Sequence, residues 1–232
     1  MAMIDVADLK RRSLTDQSTY VGHPMDPCEE GFKEKAAEWR EQWLSGFTFG
    51  KTYDVEAREK AVVWVLNWMF ESLEYFLNGF WVGPFCTEMV LEALQMHGGK
   101  QILPMKIDGL EDITLGIGGG FSGCGEVCGA VSGHIIAIGM DIASRTRETA
   151  LIRKEVQIAT RRFCKIFKEK FGSLRCCELT GTHFLQDDAI NLNFEAFAGY
   201  MKETPGKPSA FQRSSLQTIP FCIYAPLPSE QG

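Results

Sequence analysis

Residues 116 to 141 constrain the fold more than any other stretch of the chain. They read GIGGGFSGCGEVCGAVSGHIIAIGMD, so two cysteines stand among closely spaced glycines ahead of an apolar run. Glycine buries no side chain and loses more backbone entropy than other residues, so this density indicates close approach by the backbone. Gly125, Gly129 and Gly133 recur every fourth residue, which on an α-helix makes one smooth stripe. We therefore expect a glycine-faced helix against which a second helix or a cofactor packs.

The cysteines are the second feature of this stretch. Cys124 and Cys128 have the same four-residue spacing, which predicts sulfurs on one helix face, one turn apart. The chain has eight cysteines and no recognisable export signal, because the residues after Lys10-Arg11-Arg12 are polar. Cytosolic thiols are kept reduced, so metal ligation or redox chemistry explains these cysteines better than a disulfide scaffold. We expect a cytoplasmic protein.

Composition excludes several classes of function. The net charge is -6, and the lysines and arginines are scattered among acids, so no basic face for nucleic acid is predicted. The most apolar segments, residues 61–70 and 127–142, are shorter than the ~20 residues that a membrane span needs. No membrane span is expected.

Helical spacing of apolar residues dominates the chain, and no alternation of strands with helices is found. The pattern predicts an all-α fold, a single-domain helical bundle with a glycine-rich central helix. Aromatic stripes on the first two helices are expected to form core. We divide the chain into an N-terminal arm (1–27), a helical cysteine-rich redox domain (28–203) and an extended, Pro-containing C-terminal tail (204–232). Smooth helix faces and abundant aromatic residues also make a homodimer possible.

A dinucleotide-binding loop is one alternative for the glycines. Gly118, Gly120 and Gly123 form a G-x-G-x-x-G after the strand-like triplet at 113–115, and Asp141 lies at the distance of a ribose-binding acid. That site needs further βαβ units, and the helical runs on either side leave no room for them. We expect the glycines to serve another purpose.

The histidines do not suggest a zinc hydrolase, because none are paired as in H-x-x-x-H. His134 is expected to be a core residue, and His183 either caps the surface or joins a metal site. No C-x-x-C-H occurs, so covalent haem is not expected.

Thiolate chemistry remains. One fold can bring five cysteines of this chain together. They are Cys86 in the first turn of a predicted helix, Cys124 and Cys128 in the glycine-rich stretch at 116–141, which we call the glycine bed, and Cys176-Cys177 after a helix end. Thiolates near backbone N–H groups, with glycines letting the backbone approach, suit an iron–sulfur cluster. Adjacent Cys176 and Cys177 would make only a strained disulfide, so we expect one at the site and one in packing.

Two alternatives stay open. A metal-free thiol–disulfide protein would use Cys124 with Cys128, or Cys86 with Cys128. A structural or assembly subunit would use the glycines as a helix-packing seam, with the cysteines buried as small apolar side chains.

At these residues the sequence resembles the family of redox-active proteins named for the pattern C-GCAxxG-C-C, which is related to the cluster-binding domain of split-Soret cytochromes. The resemblance covers roughly residues 84–181. Its three elements, in order, are the helix start C-T-E-M-V-L at 86–91, the glycine-rich centre at 118–121 and 125–133 with Cys128-Gly129-Ala130, and Phe171-Gly172-Ser173 with Cys176, Glu178 and Leu179. It implies a redox protein with Cys86, Cys128 and Cys176 as leading cluster ligands.

The sequence departs from the family pattern at the fourth cysteine. The family's last cysteine lies in a further helix, whereas the only later cysteine here is Cys222, among prolines; Cys124 or Cys177 are the other candidates for that place. The haem-attachment sequence of the cytochrome relatives is missing. The resulting prediction is an iron–sulfur or other thiolate-ligated metal cluster used for electron transfer. Its ligands come from Cys86, Cys124, Cys128, Cys176, Cys177 and Cys222, it is lined by Gly120, Gly125 and Gly129, and its partner is a redox protein or a small electron carrier.

Overall fold

The computed structural model describes residues 32–77, 85–96, 102–104, 109, 113–181 and 207–231. Within these ranges 73% of residues are helical and none belongs to a strand of a sheet, which confirms the all-α prediction. One isolated antiparallel bridge joins Val127 to Arg175. The predicted strand-like triplet at 113–115 is wrong, because these residues form a helical turn.

Eight α-helices are described; one of them, Gly118–Phe121, is a single turn with left-handed φ at Gly119 and Gly120, and the other seven are labelled here. In chain order they are α1 (Phe32–Leu44), α2 (Val55–Leu77), α3 (Cys86–Met96), α4 (Gly129–Arg145), α5 (Thr149–Phe171), α6 (Cys176–Thr180) and α7 (Lys207–Tyr224), and a 3-10 turn follows at Pro228–Glu230. Local signals fix several of their ends. Glu88 accepts the N–H of Phe85 (2.9 Å) at the start of α3, and Gly172 and Gly181, both with positive φ, end α5 and α6.

The glycine bed is only partly helical. Helix α4 begins at Gly129, with Cys128 as its N-cap residue, so Cys124 and Gly125 precede the helix. The prediction that Cys124 and Cys128 share a helix face is therefore wrong. The physical reason is the left-handed backbone upstream, where φ is positive at Gly119 and at Gly125, among others. A right-handed helix cannot pass through such residues.

Two of the three glycines inside α4, Gly129 and Gly133, form a close seam with α3. A Cβ added at Gly129 would lie 2.9 Å from Oγ1 of Thr87, and one added at Gly133 would lie 2.8 Å from the carbonyl oxygen of Thr87. The backbones of α3 and α4 therefore approach more closely than any side chain at these positions permits, and the second helix expected against the stripe is α3.

The C-terminal region corrects the sequence prediction. Residues 204–232 were expected to form an extended tail on the surface, yet Lys207–Tyr224 is helix α7. It contacts α1, α2, α3, α4 and α6, and Leu216, Ile219 and Phe221 are buried on it. Pro220 lies inside this helix, where proline removes one backbone hydrogen bond. Burial of the apolar residues around it outweighs that loss.

Aromatic side chains fill the core, as the stripes predicted. Phe221 is the centre of one cluster, with ring centroids 4.7 Å from Phe47, 5.7 Å from Phe167 and 5.1 Å from Phe171. Trp43 of α1 stacks on Tyr224 of α7 at 6.0 Å. These contacts seat α7 between α1 and α5.

A buried arginine holds the residues after α7. Arg58 of α2 is fully buried, donates to the carbonyl oxygens of Ile223 (2.6 Å) and Ala225 (3.2 Å), and pairs with Glu230. Because an unpaired buried charge is strongly unfavourable, this network fixes the position of α7 along its axis.

Two of the sequence predictions lie outside the described residues: the N-terminal arm at 1–27 and His183. Among the helices that are described, none has both the length and the apolar character that a bilayer crossing requires.

Candidate functional site

Four cysteines meet where four helices come together. Cys86 is the first residue of α3, Cys128 caps the N-terminus of α4, Cys176 is the first residue of α6, and Cys222 lies in the last turn of α7. All four are buried and none is in a disulfide. The hydroxyl of Thr87 donates to the carbonyl of Gly129 (3.0 Å), which holds the starts of α3 and α4 together.

Backbone hydrogen bonds hold the Cys128 loop to the Cys176 loop. The N–H of Cys128 donates to Leu174 (2.8 Å), that of Cys176 to Glu126 (2.6 Å), and that of Cys177 to Gly125 (3.0 Å). These three bonds form a short antiparallel pairing around the Val127–Arg175 bridge. Two cysteines far apart in sequence are thereby placed by the main chain rather than by flexible side chains.

Each glycine predicted to line the site packs against a cysteine. A Cβ added at Gly129 would lie 3.1 Å from Cβ of Cys86, one at Gly120 would lie 2.9 Å from Cβ of Cys176, and one at Gly125 would lie 2.8 Å from Cβ of Cys177. Gly120 and Gly125 also have positive φ, which a residue with a side chain rarely adopts. Because these three glycines have no side chains, the segments that carry Cys86, Cys176 and Cys177 can pack directly against the backbone of the glycine bed.

The four thiols influence one another's ionisation. Burial raises the pKa of Cys86 to about 12, with a further contribution from the negative charge of Cys128. Burial also raises the pKa of Cys176 and of Cys222, and in both cases thiolates at Cys128 and Cys86 add to the rise. Burial raises the pKa of Cys128 as well. Repulsion of this kind falls off with distance, so Cys176 and Cys222 both lie within electrostatic reach of Cys86 and Cys128, as Cys177 does of Cys176 and Cys164 of Cys222. We call Cys86, Cys128, Cys176 and Cys222 the thiol cluster.

Several donors oppose that repulsion. The backbone N–H groups of Ala130 and Val131, in the first turn of α4, face Cys128 and lower its pKa, as does the hydroxyl of Thr218. Ser215 makes a hydrogen bond to Cys86 with the same effect. These donors favour a negatively charged sulfur, as the N-terminus of a helix does in general.

Helix α7 supplies a part of the site that sequence reasoning missed. Ser215, Thr218 and Cys222 are spaced by three and four residues, so they share one face of α7, and that face covers the thiol cluster. The spacing of these three residues was the sequence signal that could have identified this face of α7. It went unused because the prolines around Cys222 indicated extended chain.

The remaining cysteines are placed differently. Cys124 is half-buried in the loop before α4, where its N–H donates to Phe121 (3.0 Å). Cys177 is buried against Gly125, and its negative charge raises the pKa of the neighbouring Arg175. Cys164 is half-buried in the middle of α5 and adds to the rise in the pKa of Cys222. Cys176 and Cys177 therefore point to different surroundings.

His134 is a core residue, as predicted, and it borders the thiol cluster. It is 1% exposed, its ring donates to the backbone carbonyl of Cys222, and it lies 4.2 Å from the ring of Phe163. Burial lowers the pKa of His134 to about 3, assisted by the positive charge of Arg58, so the imidazole is neutral.

The described residues contain no group of three or more His, Cys, Asp or Glu side chains at positions suited to a single metal ion. The thiol cluster therefore does not have the geometry of a site for a single metal ion.

Comparison with known proteins identifies the family of the chain. A family model described as "Putative redox-active protein (C_GCAxxG_C_C)" matches residues 85–207, which is more than half of the chain. No curated protein and no solved structure matches the chain. The match includes Cys86, Cys128 and Cys176 and ends before the face of α7 that carries Ser215, Thr218 and Cys222. The chain belongs to the C_GCAxxG_C_C family of redox-active proteins.

Proposed function

We propose that this protein binds an iron–sulfur cluster through Cys86, Cys128, Cys176 and Cys222. The cluster exchanges electrons with a redox partner protein or with a small electron carrier. One observation carries the proposal: buried cysteines at the ends of four helices lie around the glycine-lined starts of α3, α4 and α6, and negative charge at Cys86 and Cys128 opposes ionisation of both Cys176 and Cys222. Family membership supports redox activity as the general class.

The surroundings of the thiol cluster fit such a group. Cluster potentials are set by hydrogen bonds to the sulfurs and by burial, and N–H groups of Ala130 and Val131 with the hydroxyls of Ser215 and Thr218 supply those bonds. Gly129 keeps side-chain atoms away from the start of α4. When bound, the cluster supplies one-electron chemistry; the protein supplies ligands, donors and a dry enclosure.

The raised pKa values also bear on the choice of chemistry. A thiol must lose its proton to bind iron, so loading releases protons and becomes more favourable as the pH rises. Thiol–disulfide exchange needs a free, accessible thiolate, which deep burial disfavours. The buried thiols are therefore better suited to permanent ligation than to repeated exchange with a second protein.

A metal-free dithiol is the second candidate. The electrostatic effect of Cys128 on Cys86 favours these two as its pair. The other pair predicted from the sequence, Cys124 with Cys128, loses its argument because the two residues do not share a helix face. The glycine seam of α3 and α4 also suits a structural subunit, for which the cysteines would be dispensable.

The test is anaerobic reconstitution with iron and sulfide, followed by iron and acid-labile sulfide analysis, visible absorption and Mössbauer spectroscopy. We expect Cys128→Ser to lose most of the iron that the parent protein holds. The matched control is Cys164→Ser, since Cys164 is a half-buried cysteine outside the four. Serine variants at Cys222, Cys124 and Cys177, measured side by side, identify the fourth ligand.

Three outcomes separate the candidates. Iron and sulfide that depend on Cys86, Cys128 and Cys176 support the proposal. Parent protein without iron, sulfide or charge-transfer absorption contradicts it. If the iron-free protein forms a reversible disulfide, detected by trapping its free thiols with alkylating reagents, the dithiol is favoured. If serine replacement of Cys86, Cys128 and Cys176 together leaves stability and partner binding unchanged, the structural subunit is favoured.

A further inference from the structure

A cavity of about 460 Å³ lies beside Phe163 of α5. Its walls are the loop at 46–50, one face of α5 and the segment at 225–231 that follows α7, and Ile138 of α4 forms part of its floor. This volume lies in the range of small-molecule pockets, roughly 300–1,000 Å³. Neither the family match nor the thiol cluster accounts for it.

The lining of the cavity combines aromatic rings with two cations, Arg162 and Lys165, and one acid, Glu169, which leaves a net positive charge. Phe47, Phe49 and Phe163 contribute to its walls, and Phe49 is exposed although it is a large apolar side chain. Arg162 and Lys165 stand on α5 one turn apart at the opening. Within the described part of the chain Arg162 has no ion-pair partner, and Lys165 has only a distant one, Glu169 at 3.8 Å.

This lining selects a particular kind of ligand. Aromatic rings stack on planar conjugated rings, and guanidinium and ammonium groups bind anionic oxygens. Three phenylalanines on the walls with two exposed cations at the opening therefore match a flat aromatic body that carries an anionic group. A neutral aliphatic ligand would leave the two cations unused.

The cavity shares a wall with the thiol cluster. The ring of Phe163 lines the cavity and lies 4.2 Å from the ring of His134, and His134 donates to the backbone carbonyl of Cys222. One phenyl ring and one imidazole ring thus separate the cavity from Cys222. His134 is buried, and its Nδ1 atom has no hydrogen-bond partner among the described residues.

We propose that this cavity binds a planar, redox-active aromatic anion of the quinone or flavin class. The redox purpose of such a ligand rests on the function proposed above, in which a small electron carrier is one possible partner. Binding itself rests only on the cavity, and it does not require that the thiol cluster hold iron.

The experiment uses the full-length protein twice, once metal-free with its thiols reduced and once reconstituted. Isothermal titration calorimetry measures the Kd of two probes, 9,10-anthraquinone-2,6-disulfonate and flavin mononucleotide. We expect saturable one-to-one binding of at least one probe to both forms of the protein, and the stronger of the two identifies the ligand class. Neither probe binding to either form would overturn the proposal.

Variants locate the binding. The double variant Arg162→Ala/Lys165→Ala removes both cations, and we expect it to raise the Kd by about tenfold or more, as loss of charge-assisted hydrogen bonds does. Its matched control is Arg161→Ala/Lys168→Ala, which removes two exposed cations of α5 that do not line the cavity. Equal weakening by both double variants would show nonspecific attraction and overturn the assignment.

A second pair of variants tests the volume of the cavity. Ala159→Phe places a ring inside it, because Ala159 lines the wall, whereas Ala150→Phe places the same ring on the exposed first turn of α5. We expect Ala159→Phe to abolish binding and Ala150→Phe to leave it unchanged; the reverse result places the ligand elsewhere. Probe binding to a protein that takes up no iron would refute the proposed function while leaving this inference intact.

Discussion

The α3–α4 seam offers the sharpest test of how the site is held together, because α4 carries two glycines in contrasting surroundings. An added Cβ at Gly133 would lie 2.8 Å from the carbonyl oxygen of Thr87 and 3.0 Å from Cβ of Val90. An added Cβ at Gly139 meets nothing within 4 Å. Neither glycine has positive φ, so alanine is compatible with the backbone at both positions.

The expected magnitudes follow from this contrast. Replacing a glycine inside a helix by alanine stabilises by about 0.5–1 kcal/mol, and both variants share that gain. Overpacking a tight interface costs about 1–3 kcal/mol, and only Gly133→Ala incurs it, since a backbone oxygen cannot turn aside. We expect Gly139→Ala to be more stable than the parent protein and to exceed Gly133→Ala by about 1–3 kcal/mol.

Urea unfolding followed by circular dichroism measures the two free energies, with equal slopes as the check that only stability changed. Iron uptake after reconstitution is the second readout, because the seam sets the distance between Cys86 on α3 and Cys128 at the start of α4. We expect Gly133→Ala to take up less iron and Gly139→Ala to match the parent. If the two variants are equally stable, the seam is not closely packed and the reasoning fails.

Two further predictions concern buried charge. Burial lowers the pKa of His134 to about 3 in the folded protein, whereas the unfolded chain takes up this proton at about pH 6.5. The free energy of unfolding is therefore unaffected by His134 above pH 6.5 and decreases as the pH falls below it. By pH 5 the loss is about 2 kcal/mol, at about 1.4 kcal/mol per unit, and His134→Gln should remove that slope in urea titrations across this window. Glu230→Gln leaves the buried Arg58 without its counter-charge, so we expect a loss of about 3–5 kcal/mol in the same assay, while Glu56→Gln, at an exposed pair with Lys60, should change stability by less than about 0.5 kcal/mol.

Periodicity and helix-ending glycines predicted much of this fold. The all-α class, the start of α3 at Cys86 and the ends of α5 and α6 at Gly172 and Gly181 all followed from local signals. Such signals come from residues that are neighbours in sequence, so they act in the same way whatever tertiary structure the rest of the chain adopts.

The errors arose where local chemistry is ambiguous. Glycine adopts left-handed and right-handed backbone with similar ease, so the spacing of Gly125 and Gly129 fitted a helix that begins only at the second of them. Prolines around Cys222 favoured extended chain, but burial of Leu216 and Ile219 among other helices favours α7. Only tertiary packing decides these cases, and it is invisible in a short window of sequence.

The candidate site shows the same division. The approach of Cys86, Cys128 and Cys176 was expected from the glycine bed, and the geometry brings them together with Cys222. The hydroxyls of Ser215 and Thr218 became visible only once α7 was placed over the thiols. Their one-face spacing was readable, but nothing in the sequence said which partner that face would meet.

The position of α7 has a consequence for biosynthesis. Ribosomes make chains from the N-terminus, and α7 is the last of the described α-helices to emerge, although it packs against most of the others. A nascent polypeptide that already displays Cys86, Cys128 and Cys176 still lacks the cover that closes over them. Under the function proposed above, iron delivered during translation would meet an incomplete set of ligands, so assembly of the cluster would follow the docking of this late helix.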